Sequence, residues 1–156
     1  MVLWRIAVTK YVSDLSGTGA KMAGGRWNSK GVPVVYCGGS QALCALESLV
    51  HFEPAIAPPL SVITLEVPDA SFASRSLIAV GQLPSNWRDF PAPMKLQSLG
   101  DAWAKGGGSL ILQVPSAVIP AEPNYLLNVG HPEMAQVKIG LPKPFAFDPR
   151  LFKSKP

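Results

Sequence analysis

Charge is scarce in this chain. Only 15% of its 156 residues are Asp, Glu, Lys or Arg, against 47% hydrophobic residues, so long disordered regions are not expected. The net charge is +4, and its basic residues are scattered apart from a weak cluster in the closing "RLFKSKP". That pattern lacks the polybasic face needed to hold duplex phosphates, and direct nucleic-acid binding is not expected. A mild positive balance suits an anionic small ligand or an acidic partner, and an ordinary soluble protein equally well. Cysteine and histidine are nearly absent: Cys37, Cys44, His51 and His131 are all there are. With no other Cys or His at ligand spacing, no metal site is expected, and the cysteines read as small core residues. No apolar run approaches the roughly 20 residues that cross a bilayer. "MVLWRIAVTK" also lacks a basic region followed by an apolar run and a cleavage site. No membrane partner is expected, and the chain reads as cytoplasmic.

What the chain does have is proline and glycine, 16 and 14 residues spread throughout. They predict many turns and short elements rather than a helical bundle. The length fits one domain over residues 1–156, large enough to bury a core unaided. "VLWRIAV", "VPVVYC", "LSVITLEV" and "SLILQV" read as strands. Gln41–Phe52 reads as a helix capped by Ser40 and stopped by Pro54. "MKLQSLGDAWAKGG" reads as a second helix with a glycine stop, and "QVKIG" as a short strand. "SLIAV" is a weak strand signal ahead of a turn-rich stretch, and Ser13–Gly31 reads as a long Gly/Ser-rich loop. Irregular alternation of helix and strand predicts a mixed α+β domain.

Three residues stand out against this background. Arg26 lies between Gly24-Gly25 and Trp27, where backbone can approach a ligand and a guanidinium fork suits phosphate or carboxylate. The plainer reading is a surface arginine stacked on Trp27. Tyr36 closes an apolar strand, where an aromatic side chain commonly serves the core. On a helical wheel Ala42, Leu43, Ala45, Leu46, Leu49, Val50 and Phe52 fill one side. Glu47 falls at its edge with His51 a turn away. The plainer reading there is a solvated glutamate paired with His51. Ser116, in "VPSAV", reads as a turn residue, and no G-x-S-x-G elbow makes it a hydrolase nucleophile.

Together these residues sit in ordered blocks that resemble the RES-domain family, named for an Arg, a Glu and a Ser. The blocks are "WRI", "GGRWNSKGVPVVY", "ALCALESLVH", "LPSNW", "GDAW", "VPSAVIPAEPNYLLNVGHPE" and "PFAFDPRL". One departure is Val129, where the family pattern has a proline after the asparagine, and it bears on local loop shape. The resemblance implies a mixed sheet with flanking helices, similar to ADP-ribosyltransferases. It also implies the toxin of a type II toxin–antitoxin pair that cleaves NAD⁺ at the nicotinamide–ribose bond by hydrolysis or phosphorolysis. A protein ADP-ribosyltransferase with the same pocket and a catalytically silent binding module are the alternatives.

Carried over by position, the resemblance makes Glu47, Arg26 and Tyr36 the catalytic set. Arg26, Tyr36, Ser116, Trp27 and Ser40 form the NAD⁺-binding set. NAD⁺ enters as substrate, with no permanently bound cofactor, and the acceptor is water, phosphate or a protein side chain. The implied partner is an Xre-like helix-turn-helix antitoxin that covers the cleft, with room for a homodimer inside that complex.

Overall fold

Apolar runs of four to eight residues bounded by Gly and Pro set most of the strands. In the computed structural model, which describes residues 1–51 and 58–152, the chain opens with β1 (Val2–Val8). A short helix α1 (Thr18–Ala23) follows, then β2 (Val34–Gly38) and α2 (Gln41–Leu49). Next come β3 (Leu60–Glu66), the short α3 (Asp69–Ala73), β4 (Ser76–Leu77) and the long α4 (Met94–Gly106). The last part carries four strands, β5 (Ile111–Pro115), β6 (Pro123–Asn128), β7 (Lys138–Ile139) and β8 (Lys143–Phe145), with short 3-10 turns of helix at Pro132–Gln136 and Pro149–Phe152.

One mixed sheet takes up these strands in the order β4-β5-β6-β2-β1-β3-β7, with β8 also pairing β3. Only β4 and β5 run parallel; the other pairs are antiparallel. This is the α+β architecture expected from the sequence. β2, β3 and β5 are buried on both faces, which is why they read as continuous apolar runs. Val35, Cys37, Ile111, Tyr125 and Leu127 pack to one side with Leu3 and Ile63. Val34, Leu112, Val114 and Leu126 pack to the other with Trp27, Trp87 and Leu96 of α4.

The sheet has a seam. β1 pairs with β3 along seven residues, and β2 with β6 along five, yet β1 and β2 are in register only at Trp4 and Gly38. The two half-sheets therefore part beyond that pair. Into the opening Arg5 of β1 sends its guanidinium, donating to the carbonyls of Val12 (3.3 Å) and Tyr36 (3.4 Å).

Several expectations need correction. Ser13–Gly31 is not a continuous loop, since α1 lies within it between Gly17 (φ 70°) and Gly24 (φ 71°). Nor is that segment loosely held. Asn28 donates to the carbonyls of Ala20 and Val32, Gln97 donates to Gly25, and Asp101 accepts from the Ser29 N–H. β6 went unrecognised because "PNYLLN" is short and bracketed by turn formers, and it becomes a strand because β5 and β2 both offer it a ladder. "SLIAV" contributes only the two residues of β4. The α2 helix ends at Leu49 rather than Phe52. Phe52 and Pro54 lie outside the described residues, as does the end of the basic tail.

The buried arc of α2 also differs from the one expected. Leu43 and Cys44 are buried, whereas Leu46 is 38% and Val50 61% exposed. The helix is apolar nearly all round, so a wheel cannot choose the inward face; the sheet chooses it. A Cβ at Gly38 would lie 2.7 Å from Cys44 Sγ, so the bare glycine is what lets α2 settle onto β2. Glu47, three and four residues beyond Cys44 and Leu43, then lies on the inward face.

Candidate active site

Where the two half-sheets part lies a cavity of about 1000 Å³, at the upper end of the range for small-molecule sites. β1 contributes Arg5 and β2 contributes Tyr36; Arg26 and Trp27 come from the segment after α1. Glu47 and His51 come from α2 and the turn after it, Arg88 and Phe90 from the stretch before α4, and Asn124 from β6. Three guanidinium groups and one carboxylate thus face a single space.

The carboxylate and the guanidinium groups do not neutralise one another. Among the described residues the ion pairs are Met1 amino group–Asp69 and Arg150–Asp148, so Glu47 pairs with neither Arg26 nor His51. Arg26 instead donates through Nη1 to the carbonyls of Trp87 (2.6 Å) and Asp89 (3.2 Å). Nor does it stack on Trp27, which is 3% exposed and belongs to the core. Partial burial lowers the Arg26 pKa, and the nearby charge of Glu47 opposes that shift. A guanidinium in such a place remains charged, with N–H groups left for an anion.

Tyr36 is tied at its hydroxyl. It donates to Asn28 Oδ1 (2.8 Å) and accepts from the Trp27 N–H (3.1 Å). A Cβ at Gly25 would lie 2.6 Å from that oxygen, so the glycine makes room for the contact. Burial drives the hydroxyl's pKa well above its ordinary 10.0, keeping it a neutral donor.

Glu47 is gripped on one side. Its Oε1 accepts from Ser116 Oγ (2.6 Å) and from Asn124 Nδ2. Among the described residues no donor reaches Oε2. The result is a fixed carboxylate with one oxygen free, set among cationic groups in the cavity. Such a site can bind an anionic ligand and stabilise positive charge developing beside the carboxylate.

Residues 2–148 match the family model of the RES domain. The chain belongs to this family. Similar proteins include the Prs ADP-ribosylating toxin of Sphingobium sp. (strain YBL2), 39% identical over 155 residues and 96% of each chain. Toxin Res of Yersinia enterocolitica is 37% identical over 97% of this chain and 99% of its own. A chain in the crystal structure of the M. tuberculosis MbcT–MbcA toxin–antitoxin complex has the same fold, with a TM-score of 0.66. It is 20% identical, over 97% of this chain and 86% of that one.

Within this RES domain the residues singled out in the sequence separate into two groups. Arg26, Trp27, Tyr36 and Glu47 line the cavity; Ser116 and Ser40 do not. Ser116 is 0% exposed and touches Glu47 instead of open space. Its role as a direct NAD⁺ contact is therefore not what the geometry offers. Ser40 is the N-cap of α2, accepting from the Leu43 N–H at 3.1 Å. Arg5, Arg88, Asn28 and Asn124 were missed. Arg5 lies in the "WRI" block and Asn124 in the "PNYLLN" part of another, but nothing local marks either as facing a cavity. The cysteines are buried as expected, and burial raises Cys37 to about 12 and Cys44 to about 11. Val129, the departure from the family pattern, packs on the core. No helix among the described residues is long and apolar enough to cross a membrane.

Proposed function

We propose that this chain is the toxin of a toxin–antitoxin pair and that its cavity binds NAD⁺ and cleaves the nicotinamide–ribose bond. The observation that carries this is Glu47: a carboxylate fixed through one oxygen, the other open to a cavity that Arg5, Arg26 and Arg88 make electropositive. The arginines suit a pyrophosphate, with Arg26 as its principal ligand, and the Tyr36 ring, backed by the buried Trp27, supplies an aromatic wall for nicotinamide or ribose. The chemistry needs little more. Nicotinamide is held to C1′ as a pyridinium cation, so when that bond breaks its electron pair neutralises the ring and no general acid is required. The ribose left behind carries oxocarbenium character, which one adjacent carboxylate stabilises by charge and by a hydrogen bond to a hydroxyl. An acceptor (water, phosphate or a protein side chain) then donates a lone pair to C1′ and gives up its proton.

Protein ADP-ribosylation is the second reading, favoured by the name of the 39%-identical Sphingobium toxin. Both readings use the same bond cleavage, whereas a silent binding module has no use for a carboxylate so held. The restraint on such an enzyme would be an antitoxin of the Xre-like, helix-turn-helix kind seated over the cleft. The crystallised structural relative is itself a toxin–antitoxin complex. Nicotinamide release from NAD⁺, measured with and without phosphate and beside a test for labelled protein, distinguishes the acceptors. Glu47→Gln should keep the fold and lose on the order of 10²–10³ in turnover, as when one preorganised electrostatic group is removed. Near-normal release by that variant would sink the assignment. In cells, NAD⁺ should fall after induction and before growth slows; arrest at an unchanged NAD⁺ level would favour modification of a protein.

A further inference from the structure

Two donors converge on Glu47 Oε1, and they are not equivalent. Ser116 Oγ itself accepts the N–H groups of Val118 (3.1 Å) and Ile119 (2.9 Å). Those two bonds occupy the hydroxyl's lone pairs, so its single proton is committed to the carboxylate. Ser116 is thus a buried anchor between the 116–119 turn and α2. Asn124 reaches the same oxygen from the sheet and, unlike Ser116, lines the cavity. An ionised carboxylate only accepts, so the amide must turn its NH₂ toward Glu47. Asn124 pairs in register with Gly38 of β2 and Val114 of β5. Paired residues share a face, and period-two alternation puts Tyr36, Leu112 and Leu126 on it too. The same face carries one other amide, Asn128, which donates to the Ala104 carbonyl, whereas the Asn124 amide donates to Glu47.

We propose that Asn124 is a further positioning residue of this site, holding Glu47 in the orientation that leaves Oε2 free for the reacting sugar. The proposal rests on the reading of the cavity as an NAD⁺-cleaving site. Ser116 fixes one end of the arrangement to the turn, and Asn124 fixes the other to the sheet. With either alone, the carboxylate can rotate about its terminal bond and exchange its two oxygens. With both, Oε1 is held from two directions.

Two substitutions test this in the full chain, read by nicotinamide release from NAD⁺. Asn124→Ala should lower kcat by about 10²-fold, the usual consequence of a misplaced reacting group, while KM changes little, because the pyrophosphate ligands are untouched. Asn124→Asp keeps the shape and replaces the donor by a second carboxylate against Glu47. Two carboxylates in contact share a proton. The other ionisable groups facing this space are Arg5 of β1, Tyr11, Arg26, Tyr36 and Cys37 of β2, Cys44 and His51 of α2 and its end, and Arg88. The Asp variant should therefore lose kcat at neutral pH, with the acid limb of its pH profile about one unit or more above that of the parent. A purely structural asparagine would not move that limb. Should Asn124→Ala fail to fold, the isosteric Asp variant carries the test. Parental kcat and pH profile in the Asp variant, or a loss confined to KM, would overturn the proposal. If the parent itself releases no nicotinamide, the NAD⁺ reading fails and the proposal falls with it.

Discussion

Tyr36→Phe separates what holds the site together from what does its chemistry. The change removes one oxygen and leaves the ring. In the native protein that oxygen accepts from the Trp27 N–H and donates to Asn28 Oδ1, and Asn28 is 0% exposed. Without it, a buried donor and a buried acceptor both lose a partner. Each such group costs about 1–3 kcal/mol when left unsatisfied. The cavity lies beside them, so water can recover part of the loss, which places the expected cost near about 2–3 kcal/mol. For a chain of this size each kcal/mol lowers Tm by about 2–4 °C, giving a fall of about 4–12 °C by circular dichroism melting. The aromatic wall survives, so nicotinamide release assayed well below Tm should stay within a few-fold of the parent, with KM nearly unchanged. An unchanged Tm would refute the tethering role of the hydroxyl. Turnover lost at unchanged Tm would show that the hydroxyl itself takes part in the reaction.

Ser40→Ala should remove the α2 cap and cost about 1 kcal/mol, visible as a Tm lower by about 2–4 °C, with KM for NAD⁺ unaltered; a raised KM at unchanged Tm would return Ser40 to the binding set. Arg26→Lys keeps a charge but loses the fork, so NAD⁺ binding measured by calorimetry should weaken, and Arg26→Ala should weaken it further. Those losses should exceed the losses for nicotinamide riboside, which has no pyrophosphate; equal losses would make Arg26 chiefly a tether for the Trp87 and Asp89 carbonyls. Alkali should destabilise the protein through its thiols, which burial raises from an ordinary 9.0 to about 12 at Cys37 and about 11 at Cys44. Above pH 9 the unfolded chain releases these protons and the folded one keeps them, so stability is full below pH 9 and falls as pH rises toward 11–12. Replacing both cysteines by alanine should make Tm fall less steeply with pH in that window, with buried Tyr36 still contributing above pH 10; an unchanged slope would refute the assignment.

Sequence by itself determined the elements whose signals are local. The runs "VLWRIAV", "VPVVYC", "LSVITLEV" and "SLILQV" carry enough apolar side chains to be strands wherever they pair, and they are β1, β2, β3 and β5. Ser40 caps α2 because a hydroxyl one residue before a helix satisfies an N–H whatever surrounds it. The order of motif blocks was enough to indicate the RES-domain family. Tertiary structure decided what depends on partners far along the chain. β6 is a strand because β5 and β2 flank it, and the inward face of α2 is set by the bare surface at Gly38. The segment around Arg26 read as part of a long Gly/Ser-rich loop, yet it is held by Gln97 and Asp101, some seventy residues away. The site followed the same division. Arg26, Tyr36 and Glu47 were legible as residue types in motif blocks, but Asn124 and Ser116 act on Glu47 across 77 and 69 residues. A hydrogen bond needs its two atoms within about 3 Å, and no spacing along the chain encodes that proximity. Only the parting of β1 from β2 beyond Trp4 and Gly38 opens the space in which these groups meet.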